Sequence, residues 1–189
     1  KVLSTAGLPE TYSLTDGLDG SEIEPGRLTF IESIMCLNVE PRELGIDKTI
    51  IFYNDSERFD YSASSDYADV RSGVICCTNN YEHETPLSEG LLRVTSIANY
   101  EKWNALEKPE PYAETKGIWL ERQKEKLLTM LPEFRPHIVA EDIFTPTTIY
   151  HFTARMRGAI YGSTTKVRSG LTPIDGLFIC GTDQGFLGI

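Results

Sequence analysis

Across 189 residues the chain carries 28 acidic and 18 basic side chains, a formal net charge of −10, and 40% hydrophobic residues. That length and apolar content are enough to bury a core, while the negative balance works against binding nucleic acid or an anionic membrane surface. No apolar run approaches the roughly 18 residues that a membrane-spanning helix needs, and KVLSTAGLPE lacks the basic, apolar and small-residue regions of a secretory signal, so a cytoplasmic protein is expected.

The opening KVLSTAGL reads as the end of a strand entering a turn at Ala6 and Gly7, and the acidic, Gly-rich residues 16–26 read as a connecting loop. In residues 28–40, Ile31, Ser33, Met35, Leu37 and Val39 alternate with Glu32, Ile34, Cys36, Asn38 and Glu40, as in a strand with at least one apolar face. Further β-prone runs at residues 48–55, 72–80 and 90–100 complete a set of four. The polar and aromatic residues 56–70 read as a surface connection, with or without a helical turn. One helix is clear: Pro111 suits a first-turn position, Tyr112, Trp119, Leu120, Leu127 and Leu131 fall on one side, and Pro132 ends it. Its other side, with Glu114, Lys116, Glu121, Lys124 and Glu125, reads as a solvated charged stripe. Residues 137–153 read as a short strand, a Thr-Pro turn and an extended or helical piece, and residues 155–176 as a Gly-punctuated loop. GLFICGTD, residues 176–183, reads as a short strand apolar on both faces, which belongs in the middle of a sheet covered on both sides. The expected fold class is α+β: an antiparallel sheet flanked by a helix, with remnant strands of an α/β layer.

Neither G-x-S-x-G nor H-E-x-x-H occurs, and His83, His137 and His151 are scattered without metal-ligand spacing, so no metal site is expected. Cys36, Cys76, Cys77 and Cys180 lie in apolar stretches with no C-x-x-C pair, which reads as buried free thiols, Cys76 and Cys77 on opposite faces of a strand. Arg155, Arg157, Lys166 and Arg168 either bind an anion or only form salt bridges. The terminal turn carries more, because an apolar strand runs into Gly181, Asp183, Gly185 and Gly188. Glycine lets a backbone approach a ligand, a carboxylate accepts from a ribose or ribityl hydroxyl, and a helix starting near Gly188 aims N–H groups at negative charge. A plain strand-turn-helix with no ligand has the same pattern, and both readings stand on the residues alone.

TPTTIYHFT, RGAIYG and TPIDGLFICGTDQGFLGI, in that order, resemble the C-terminal third of the phytoene desaturase, carotenoid isomerase and retinol saturase family of FAD-dependent oxidoreductases, with the retinol saturase branch nearest. KVLSTAG resembles the strand by which that family's chain re-enters its FAD domain. The likeness is strong over residues 142–189, thin over 1–10, and one of layout between. It implies that residues 1–10 and 151–189 belong to a Rossmann-like FAD-binding domain and residues 11–150 to a substrate-binding domain. It also implies FAD contact at Gly181, Thr182, Asp183, Gly185, Gly188 and Ile189, with Asp183 near the ribityl or diphosphate group. Tyr150 and Tyr161 would contact substrate, His151 and Arg155 would lie near the flavin-facing loop, and Gly158 and Gly162 would shape that loop; no catalytic acid or base is assigned. The implied chemistry is hydride transfer between flavin and a hydrophobic polyene or isoprenoid, in desaturation, saturation or isomerisation, with peripheral membrane contact at the tunnel mouth left open. The G-x-G-x-x-G signature of the family's ADP site does not occur, so the sequence is expected to be an excised piece, inactive alone. The alternative is a self-contained module that binds an apolar ligand without a cofactor. Flavin amine oxidases share the two-domain layout, but the Thr-Pro-x-Thr and Gly-x-x-Tyr-Gly pair lies on the desaturase side.

Overall fold

A computed structural model describes residues 1–186. The chain runs through β1 (Val2–Ser4), α1 (Leu8–Ser13), β2 (Thr29–Leu37), β3 (Ile50–Asn54), β4 (Ser72–Cys77), β5 (Gly90–Ala98), α2 (Tyr100–Asn104), α3 (Pro109–Leu128), β6 (Ile138–Phe144), α4 (Pro146–Thr153) and β7 (Leu177–Ile179). Five strands form an antiparallel sheet in the order β3-β4-β5-β2-β6, and β1 and β7 form a separate parallel pair. The fold is α+β.

β2 lies inside the sheet, paired along both edges, and its odd-numbered residues face the core: Ile31, Met35 and Leu37 are 0% exposed, as is Ser33 among them. It pairs with β5 from Thr29 opposite Ala98 to Leu37 opposite Gly90, and with β6 from Glu32 opposite Phe144 to Leu37 opposite Ile138. Opposite residues share a face, so Leu92, Val94, Ser96 and Ala98 join the odd-numbered residues of β2 under α3. Two clusters fill that side, one around Met35, Leu92, Leu127 and Phe134 and one around Ile31, Trp103, Trp119 and Ile143. Each such side chain contributes about 1.5–3 kcal/mol by leaving water. Gln123 sits within this apolar layer without exposure because its amide is matched: it accepts from Ser33 Oγ and donates to Ser96 Oγ and the Val94 carbonyl.

Several expectations are corrected. The long helix starts two residues earlier, with Pro109 in its first turn, and ends at Leu128, so Leu131 packs on the core from beyond it. Lys124 is not solvated: it is 4% exposed, its stem against the protein and its ammonium on Glu121 and Glu141 of the edge strand β6. Residues 8–13 and 100–104 are helical, and the 90–100 run ends as a strand at Ala98. The terminal strand is three residues long and only Ile179 is buried, so it is not the centre of a sheet covered on both sides. Of the four free thiols only Cys77 is buried; Cys36, Cys76 and Cys180 are half-buried. Among the described residues, no helix is long and apolar enough to cross a membrane and no group of three or more His, Cys, Asp or Glu is placed to hold a metal.

Candidate functional site

The second face of the five-stranded sheet is only partly covered. It presents Phe30, Ile34 and Cys36 of β2, Leu91, Thr95 and Ile97 of β5, Val74 and Cys76 of β4 and Phe52 of β3, all half-buried except Phe52, which is 79% exposed. At one end this face becomes a cavity of about 310 Å³. Its floor is Phe30, Val74, Thr95 and Ile97; Phe59 and Tyr61 of the β3–β4 connection and Ile160 and Tyr161 of the later loop enclose it. Phe59 and Tyr61 meet edge to face with ring centroids 4.4 Å apart. Residues 56–70, read as a surface connection, thus supply two aromatic walls, and the signal available was Phe59 and Tyr61 set two residues apart in a largely polar stretch.

Beside the cavity, Glu32 is buried on the open face. Its Oε1 accepts from Arg93 Nε at 2.8 Å and Arg93 Nη2 at 2.5 Å, and its Oε2 from Thr95 Oγ1 at 3.0 Å. Tyr81 lies nearby with its hydroxyl 3.9 Å from Cys76 Sγ, and that thiol contact holds the phenol above its ordinary value of 10.0.

The loop that closes the cavity runs directly into the terminal turn. Ile160 N–H donates to the Leu28 carbonyl at 3.0 Å, and two residues beyond Tyr161 the Ser163 N–H donates to Asp183 Oδ1 at 2.6 Å. Asp183 is 0% exposed; its Oδ2 accepts from the Leu8 N–H at 2.5 Å at the start of α1, and Arg155 and Lys166 stand 3.7 and 3.6 Å from its two oxygens. Arg155 also donates to the Ala6 carbonyl and to Thr182 Oγ1. Gly162 (φ 69°) lies against the Asp183 carboxylate and Gly158 (φ 56°) against the Pro146 carbonyl, so a side chain at either would meet both a left-handed backbone and an occupied space. At the other end of the loop, Thr145 caps α4 in a reciprocal box with Thr148, and the Tyr112 hydroxyl joins Thr145 at 2.7 Å and Thr148 at 3.2 Å. Burial pushes the Tyr112 phenol up, but the threonine hydroxyls and Lys116 outweigh it and hold the group below its ordinary value.

The structure brings Gly181, Thr182, Asp183 and Tyr161 into one neighbourhood and leaves Tyr150 outside it. Tyr150 packs edge to face on Tyr100, ring centroids 6.3 Å apart, and does not line the cavity. His151 is exposed on Phe152, His83 meets the Thr78 carbonyl and His137 meets Asn38, so the histidines remain dispersed. Of the four basic residues, Arg155 and Lys166 face Asp183, Arg157 pairs with Glu101 at 3.2 Å, and Arg168 is exposed. Gly185 is exposed with φ 91°, and Gly188 and Ile189 lie outside the described residues.

No family model matches the chain, and no curated protein matches it.

Proposed function

We propose that this chain forms the substrate-binding part of an FAD-dependent oxidoreductase acting on a hydrophobic polyene or isoprenoid. The observation that carries the reading is the apolar, aromatic-walled cavity whose closing loop passes within two residues into the Gly181–Asp183 turn. The parallel pairing of β1 with β7, after which that turn follows, supports the reading, since dinucleotides are held at the carboxyl ends of parallel strands. The fit to a flavin is divided. Gly181 has φ 87° and open space where a side chain would stand, so its backbone admits a close ligand. The Asp183 carboxylate is 0% exposed and accepts from the Leu8 and Ser163 N–H groups, so cofactor contact at this turn falls to the backbone of Gly181 and Thr182, with Asp183 holding them in place. Bound FAD would supply hydride transfer; this chain's residues would shape the apolar site and exclude water from it.

The apolar residues that this chain itself brings to the cavity and the full burial of Asp183 favour a second reading, an apolar-ligand module that needs no cofactor. Flavin absorbance of the purified natural protein, beside this chain alone, each with and without added FAD, separates the two. Flavin retained by the natural protein supports the oxidoreductase. A natural protein that is colourless and takes up no FAD sinks it and leaves the module.

A further inference from the structure

The cavity is walled from two sides, and the two walls are held in different ways. The loop carrying Ile160 and Tyr161 is tied to distant parts of the chain: Ile160 N–H donates to the Leu28 carbonyl at 3.0 Å, Ser163 Oγ to the Glu24 carbonyl at 2.7 Å, and Ser163 N–H to the buried Asp183. The opposite wall, Phe59 and Tyr61, belongs to residues 56–63, where every hydrogen bond among the described residues is local. Asn54 Nδ2 donates to the Ser56 carbonyl at 2.8 Å, Ser56 Oγ to the Arg58 carbonyl at 2.6 Å, and Ser62 N–H to Asp60 Oδ1 at 2.8 Å. The segment is anchored only at its ends. Asp55 N–H donates to the Arg71 carbonyl at 2.9 Å on one side, and the Ser64 carbonyl accepts from Asn99 Nδ2 at 2.8 Å on the other.

Phe59 is 44% and Tyr61 65% exposed, so lifting them from the cavity uncovers little further apolar surface on their side. Their edge-to-face contact lies within the segment and travels with it. Few buried contacts and solvent-facing hydrogen bonds are the marks of a segment that opens at low cost. Its far end, Ser62-Ala63-Ser64-Ser65, is a run of small residues able to absorb a change in backbone angles. We propose that residues 56–63 form a hinged strap that lifts to admit an apolar ligand and closes over it, Phe59 and Tyr61 moving as one unit while the 160–161 wall stays fixed. The proposal rests on the reading that the cavity holds an apolar body, and it is independent of whether flavin is also present.

Stopped-flow mixing of this chain with the neutral fluorophore N-phenyl-1-naphthylamine reads strap motion as well as binding. With the strap in the path, the observed association rate should rise with probe concentration and then level off at the rate of strap motion. In the double variant Phe59→Ala/Tyr61→Ala, made at two exposed positions, the rate should stay linear in probe and the probe should leave about tenfold faster. Amide exchange at residues 57–62 should be fast in the free protein and several-fold slower with probe bound, with Ile160 little changed. A native rate that is linear throughout, a plateau that survives in the double variant, or exchange at residues 57–62 that ignores bound probe shows a fixed wall. Any of these overturns the strap while leaving the apolar cavity intact. A native chain that does not bind the probe removes the cavity reading itself and this proposal with it.

Discussion

Asp183 shows how much one buried carboxylate organises. It ties the start of α1 through Leu8, the 155–166 loop through Ser163, and draws Arg155 and Lys166 inward. Asp183→Asn keeps the shape but replaces acceptors with an amide that cannot accept at both ends, and hydrogen bonds to a charged group are worth about 1.5–3 kcal/mol each. The variant should lose about 2–4 kcal/mol in urea unfolding, read by tryptophan fluorescence, and an unchanged midpoint would show that the clamp carries no load. Cys77 gives a second test at this scale. Burial, with a smaller contribution from Cys76, pushes its thiol up to about 11, and the thiolate is the reactive form. Iodoacetamide at pH 8 should modify Cys36, Cys76 and Cys180 in the native protein and spare Cys77 until denaturant is added; mass mapping of early Cys77 adducts would contradict the packing.

At the level of elements, α3 is held to the sheet by apolar packing on one side and by Lys124 at its margin. Burial alone would lower the Lys124 ammonium, but hydrogen bonds and charges from Glu121 and Glu141 outweigh it and leave the group above its ordinary value of 10.5. Glu121, hydrogen-bonded by Lys124, is held below its ordinary 4.5. The lysine's contribution is therefore present below 10.5 and lost as pH rises through its raised value, while that of Glu121 is present above 4.5 and lost as pH falls. Because Glu121 and Glu141 are partly exposed, Lys124→Met should cost only about 1 kcal/mol at neutral pH. The difference from wild type should shrink at both pH extremes, and a difference independent of pH would mean that only the stem matters. The motifs behind the family resemblance also gain local reasons here: the Thr-Pro pair caps α4 and seats Gly158, and Gly162 seats Asp183. They are neighbours in space, so their order along the sequence reflects one packed junction.

Across the whole molecule, stability is unequal between the two sheets. β2 and β5 pair over nine residues around a core, whereas β1 and β7 pair over three with Val2 59% and Leu3 69% exposed. Local opening follows buried contact, so amide exchange should be orders of magnitude slower at Val94 than at Leu3; comparable protection would mean that the parallel pair is anchored by more than its own contacts. The open face and its cavity lie on the stable sheet, which suits a binding surface that has to keep its shape.

The sequence by itself determined the α+β class, the four main strands, the long amphipathic helix and the Gly-rich turn ending in Asp183, because alternation, periodicity and turn chemistry are local properties that neighbours along the chain enforce. It did not reveal that Lys124 is buried, that Phe59 and Tyr61 wall a cavity, that Glu32 pairs with Arg93 on the other sheet face, or that Tyr150 packs on Tyr100 and does not line the cavity. Those facts depend on which strand lies beside which. The order β3-β4-β5-β2-β6 brings Glu32 to Thr95 and residues 59–61 to residue 161 across long stretches of chain, and alternation within a strand tells which face is apolar but not which strand lies beside which.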